Sequence, residues 1–302
     1  MDKKIIAILI FSGVTFALIT INPLFNIFSF SFLLDKDLAM TYGTLIGGIF
    51  GPILSLLSFY LVYNTFKEQK RYNDIQVLKK QEEDFLNELE RDVSYLRQYV
   101  SSIKYRNSDS KDITEDYISG EDFFIIAKMQ LDKLYEIVYG TSIFKEERDI
   151  IGATFEIFYY GVGLNTMDTL KIYLAKRTSV ENAYKLISKI RGEKTGYNKK
   201  IVYYGGHQGK MGHYFRQLYH LIEIINDCKL SLDKSILTKK IRLKMSNYEQ
   251  AILCYNSFTF AGSIWQENKF IENYELIKNI QPNFLPFNPK DYFNFLFEYE
   301  KK

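Results

Sequence analysis

The chain has 302 residues, with 39 Lys and Arg against 36 Asp and Glu and a net charge of +3. So small an excess gives no electrostatic case for a nucleic-acid binder. Two cysteines, Cys228 and Cys254, are too few for a disulfide framework.

Hydrophobic residues make up 47% and charged residues 25% of the chain, averages that hide an asymmetry. Residues 5–34 contain no Asp, Glu, Lys or Arg, and neither do residues 38–66. A helix crossing a hydrocarbon core needs roughly 20 apolar residues, so each stretch is long enough to span. The first is too long for the core of an ordinary cleaved signal and lacks a small-residue cleavage site ahead of Pro23, so it reads as a retained span. Asp35, Lys36 and Asp37 make the short outer turn between them. Lys3 and Lys4 flank one end, and Lys67, Lys70 and Arg71 flank the other. The positive-inside bias then places both termini in the cytoplasm, as a two-pass protein of the inner (cytoplasmic) membrane with the lipid bilayer as its first partner. Gly43, Gly47 and Gly51 recur every four residues, with Gly48 beside them. Such a face lets a second helix approach closely, either the first span or another copy in a homo-oligomer. Pro52 follows directly and should kink or loosen that helix.

Residues 67–103 read as one helix without Gly or Pro, in which Ile75, Leu78, Phe85, Leu89, Val93 and Leu96 form an apolar stripe. Residues 106–116 are polar and read as a loop. Helical patterns follow at 120–139, 145–160 and 167–190. Strand signals are scarce, with only residues 200–204 a candidate extended piece. Residues 191–212 are rich in Gly and Lys without periodicity, the longest candidate loop. A helix is expected from about Lys210 to Lys229, and another from Ser246, where Ser246-Asn247-Tyr248-Glu249 fits a capping box. A further helix over 269–280 precedes a proline-punctuated turn and a last aromatic stretch at 292–299. The expected fold is all-α: a two-helix transmembrane hairpin (1–66), an amphipathic stalk helix (67–104) and a cytoplasmic helical domain (105–302).

All three histidines, His207, His213 and His220, fall within fourteen residues. On a helix, His213, Arg216, Gln217, His220, Glu223 and Asp227 share one side, while Phe215, Leu218, Tyr219, Ile222 and Ile225 share the other. The polar side admits three readings. It is a network joining helices; or an anion or nucleotide site, with Gly205, Gly206, His207, Gly209 and Lys210 offering backbone amides at the helix start; or a nuclease-like site, with His213 and His220 as acid or base and Arg216 stabilising a phosphate. The Gly205–Lys210 segment is not a phosphate-binding P-loop, being one residue short between its glycines, with Met211 where Ser or Thr would meet magnesium. His213 and His220 stand seven apart, not the four of a helical zinc pair. No metal and no cofactor is expected.

Three blocks carry a resemblance. They are Gly43-Thr44-Leu45-Ile46-Gly47-Gly48-Ile49-Phe50-Gly51-Pro52 with Phe66-Lys67-Glu68-Gln69; Gly212-His213-Tyr214-Phe215-Arg216-Gln217-Leu218-Tyr219-His220; and Leu243-Lys244-Met245-Ser246-Asn247-Tyr248-Glu249 running on to Tyr255-Asn256. Tyr159-Tyr160-Gly161-Val162-Gly163 adds a lesser match. In these blocks the chain resembles the phage abortive-infection family of the AbiC type. The resemblance implies a bacterial defence protein that arrests or kills an infected cell, with a phage trigger or a companion component as partner. It supplies no mechanism. A membrane effector, a membrane-tethered ribonuclease and a tethered adaptor without activity all stay open. Helical ribonucleases of the HEPN class place Arg and His on one helix; here three residues separate Arg216 from His220. Nucleic acid is a partner only under that alternative.

Overall fold

The computed structural model describes residues 36–106, 117–193 and 206–300. The first apolar stretch, the candidate extended piece at 200–204 and residues 107–116 of the loop expected over 106–116 lie outside them, whereas Arg106 belongs to a strand. By contact the chain divides into two compact units, Met1–Gln81 and Glu82–Lys302.

Helix α1 spans Lys36–Ser102 and contains Pro52. The second apolar stretch therefore continues into the stalk as one helix, and the proline does not end it. Among the described residues this is the one helix long and apolar enough to cross a membrane, judged by length and composition, and none of its apolar window is buried. Leu54, Leu56, Phe59, Val62 and Phe66 are all exposed. Thr41, Thr44 and Thr65 turn their hydroxyls back to the carbonyls of Asp37, Met40 and Leu61, at 2.8–2.9 Å. That internal pairing suits a hydroxyl in a medium without water.

Among its described residues the second unit has helices and one minimal antiparallel ribbon, β1 (Lys104–Arg106) against β2 (Tyr117–Ser119). Its helices are α2 (Glu121–Tyr139), α3 (Glu147–Tyr160), α4 (Met167–Leu174), α5 (Val180–Glu193), α6 (Gln208–Asp227), α7 (Lys234–Leu243), α8 (Asn247–Asn256), α9 (Ile264–Glu267) and α10 (Phe270–Asn273). Single 3-10 turns cover Pro289–Asp291 and Glu298–Glu300. Helix α3 is the centre, in contact with α2, α4, α6 and α8, and it is buried on nearly every side from Ile150 to Phe158. Leu89, Val93, Leu96 and Val100 of α1 join this core, while Ile75 and Leu78 are exposed. Only the later half of the predicted stripe is therefore used in packing.

Three elements differ from the sequence reading. The helix expected over 167–190 breaks after Leu174, because Arg177 turns inward to Glu156 and the Ser179 hydroxyl accepts the Asn182 amide at 3.2 Å to start α5. Helix α7 was not foreseen; Asp233 caps it by accepting the Ser235 and Ile236 amides, and Leu237 and Ile241 supply its buried face. The helix expected over 269–280 is confined to the four residues of α10 and followed by turns. Lys269 and Glu275 take left-handed φ values of 53° and 50°, and Arg242 donates to the Tyr274 and Glu275 carbonyls at 3.3 and 2.9 Å. Those carbonyls thus gain a side-chain donor in place of a continued helix.

Candidate functional site

Helix α6 carries the predicted two-sided pattern. Met211, Tyr214, Phe215, Leu218, Leu221, Ile222 and Ile225 are buried, while His213, Arg216 and His220 are exposed. His220 has two-thirds of its side chain exposed, with Nδ1 3.8 Å from Glu223 Oε2. His213 stands edge-on to Tyr99 of α1, ring centroids 4.5 Å apart, and the Tyr99 hydroxyl donates to the Lys210 carbonyl at 2.6 Å.

His207 does not share that stripe. It lies just before α6, buried, with its ring 4.4 Å from Phe158 and 5.5 Å from both Tyr105 and Phe123. Its Nε2 donates to Gln130 Oε1 at 2.6 Å, and Gln130 Nε2 in turn donates to the Tyr105 hydroxyl at 3.1 Å. Gln130 accepts, so the proton sits on Nε2, and the buried Nδ1 has no partner among the described residues. Burial, with the Lys210 charge adding to it, lowers the His207 pKa to about 3. A neutral imidazole held in this way is a structural group. Its backbone amide is committed to the Tyr159 carbonyl at 2.8 Å. Gly206 makes that approach feasible: its φ is +65°, and a Cβ there would meet the Tyr159 and Tyr160 backbone at 2.4–2.5 Å. Gly209 is exposed in the first turn of α6 and Lys210 is half-buried; Gly205 lies outside the described residues.

Of the predicted residues, Arg216 lines a cavity among the described residues. A cleft of about 340 Å³ opens between α3, α6 and the chain following α8, lined by Phe155, Tyr159, Tyr160, Tyr173, Phe215, Tyr219 and Trp265 with Glu156, Gly212, Arg216 and Asn256. Tyr160 and Tyr173 stack at 4.7 Å, and Tyr219 meets Trp265 edge-on at 5.3 Å. A Cβ on Gly212 would come within 2.9 Å of the Tyr159 hydroxyl, so the bare backbone there keeps the tyrosine in place. Burial raises the Tyr159 and Tyr99 pKa values, and the Arg216 guanidinium, close to both, partly offsets this. Among the described residues Arg216 has no carboxylate partner. Glu156, by contrast, is saturated: Arg177 donates to it from Nε and Nη2 at 3.0–3.3 Å, and to Asp149 from Nη1 at 3.1 Å. Asn256 Oδ1 accepts from Trp265 Nε1 at 3.1 Å.

The acid of the predicted capping box does more than cap. The Ser246 hydroxyl accepts the Glu249 amide at 3.2 Å, and Glu249 accepts the Ser246 amide at 2.8 Å. The Glu249 carboxylate, with no exposed side-chain surface, also takes both Nη atoms of Arg97 from α1. Sequence reading could not find Arg97 or Arg177, since their partners lie 152 and 21 residues away. Among the described residues no group of three or more His, Cys, Asp or Glu could hold a metal ion.

Residues 206–285 match the family model described as "Putative phage abortive infection protein". This is the family that the blocks at 212–220 and 243–249 resemble, and both lie inside the matched segment. So do Arg216, Tyr219, Asn256 and Trp265 of the cleft, together with the Ser246–Glu249 cap; the blocks around Gly47 and Tyr159 lie outside it. No curated protein and no solved structure matches the chain. The matched segment thus supplies one wall of the cleft and the carboxylate that receives Arg97.

Proposed function

We propose that this protein defends a bacterium against phage by abortive infection, as an effector anchored in the inner membrane that arrests or kills the infected cell by disturbing that membrane. The match of residues 206–285 to the abortive-infection model carries the defence part of the reading. The apolar part of α1, none of whose window is buried, supports the membrane part, because so much unburied apolar surface calls for a lipid or protein cover. Tyr60, Tyr63, Phe66 and Tyr72 sit on that helix beside Lys67, Lys70 and Arg71, the aromatic and basic pattern of a membrane–cytoplasm boundary. The proposed topology is two-pass, with residues 5–34 as the first span and both termini in the cytoplasm. Among the described residues, a Cβ on Gly43, Gly47, Gly48 or Gly51 would meet nothing within 4 Å. That leaves a small-residue face open to a second copy, and rearrangement of such paired helices is the proposed route to membrane damage.

The test is a phage challenge of cells expressing either the full chain or a form lacking residues 1–66. Protection by the full chain alone, with both forms equally abundant, is expected. Equal protection by the shortened form would sink the membrane reading and favour soluble chemistry.

A further inference from the structure

The cleft beside Arg216 has the features of a small-molecule site. About 340 Å³ falls within the range of pockets that hold a compact ligand, and is too small for a folded partner. Its walls are aromatic: the stacked Tyr160–Tyr173 pair on one side, and the Tyr219–Trp265 pair on another. Rings held rigidly by their neighbours favour a planar guest, which stacks at little entropic cost. Glu156 lines the cleft, but its charge is answered by Arg177, so it does not repel an anion as a free carboxylate would.

Two polar groups are left uncommitted. Arg216 is exposed, lines the cleft and pairs with no carboxylate among the described residues. Asn256 gives its Oδ1 to Trp265, and its Nδ2 makes no hydrogen bond to a described residue. An uncommitted guanidinium with five donors suits a phosphate, which it grips in a fork. A spare amide N–H suits an acceptor on a ring edge.

We infer that this cleft binds a single nucleotide, its base among the tyrosines and Trp265, its phosphate on Arg216 and an acceptor edge of the base toward Asn256. Planar ring, acceptor edge and one anionic group together define that ligand class. The inference stands independently of the membrane reading, since every residue involved belongs to the second unit.

Calorimetric titration of the detergent-solubilised full chain with AMP, UMP, adenosine and inorganic phosphate tests it. Trp265 is the one tryptophan in the chain and lines the cleft, so its emission reports whether binding occurs there. Saturable binding of at least one monophosphate with a change in Trp265 emission is expected. Adenosine and inorganic phosphate should bind at least about tenfold more weakly than that nucleotide, the factor set by losing the charge-assisted contact or the stacked ring. Arg216→Gln should weaken the nucleotide by at least about tenfold, while Arg216→Lys, which keeps the charge but not the fork, should fall between. Both variants change an exposed side chain, and unaltered Trp265 emission without ligand verifies their fold. No binding of either monophosphate at millimolar concentration, phosphate binding as tightly as the nucleotides, or undiminished affinity in Arg216→Gln would each overturn the inference.

Discussion

His207 ties the stability of the second unit to pH. Its imidazole is enclosed by Phe158, Tyr105 and Phe123 and donates to Gln130; burial, with the Lys210 charge adding to it, lowers its folded pKa to about 3 against 6.5 in an open chain. Between those values the unfolded chain binds a proton that the folded chain refuses. The stabilisation is therefore fully present above about pH 6.5 and drains away as pH falls toward 3. Each unit of separation is worth about 1.4 kcal/mol, so lowering pH from 8 to 5, about 1.5 units below the open-chain value, should remove about 2 kcal/mol. The assay is chemical unfolding at both pH values, followed by the emission of Trp265, which is buried in this unit. Other groups titrate too, so the relevant quantity is the difference from His207→Gln, which has no ring to protonate. Wild type should lose about 2 kcal/mol more than the variant over this interval. Equal losses, or an NMR titration placing the folded His207 ring near 6.5, would refute the reasoning.

Arg97→Ala strands the fully buried Glu249 carboxylate, and the expected loss is about 3 kcal/mol; replacing both partners together, Arg97→Met with Glu249→Leu, should lose less than Arg97→Ala alone in the same unfolding assay. Gly206→Ala forces a Cβ into the Tyr159 and Tyr160 backbone at a positive φ, so a drop of more than about 2 kcal/mol in unfolding free energy, or failure to accumulate, is expected. Leu56→Arg puts a charge within the apolar part of α1, at a cost of about 3 kcal/mol for insertion, and should shift the protein out of the carbonate-resistant membrane fraction. His220→Ala alters a largely exposed side chain outside the cleft lining; stability within about 0.5 kcal/mol of wild type and intact phage protection are expected, and lost protection would revive the ribonuclease alternative.

What could be read from the sequence was local. The apolar face of α6 was legible because Phe215, Leu218, Ile222 and Ile225 repeat with the helical period, although Tyr219, read onto the same face, is only half-buried; the Ser246 cap was legible because its partner Glu249 is three residues on. The three histidines are close in sequence but are not brought together in the fold. One residue before α6 the chain still turns inward, so His207 enters a ring of aromatics drawn from three distant segments while His213 and His220 face outward. The cleft was illegible for the same reason: Tyr160, Tyr173 and Trp265 carry no shared period, and only packing α3 against α6 brings them around Arg216. Arg97 and Arg177 carry no local signal in the sequence, because the buried carboxylates they meet come from other helices.

The central claim, an abortive-infection effector acting on the membrane, is tested most directly by following membrane potential with a voltage-sensitive dye in single infected cells carrying the full chain. Depolarisation before phage release, absent from uninfected cells and from cells carrying the form without residues 1–66, is the predicted result. Growth arrest with the potential held throughout infection would contradict it.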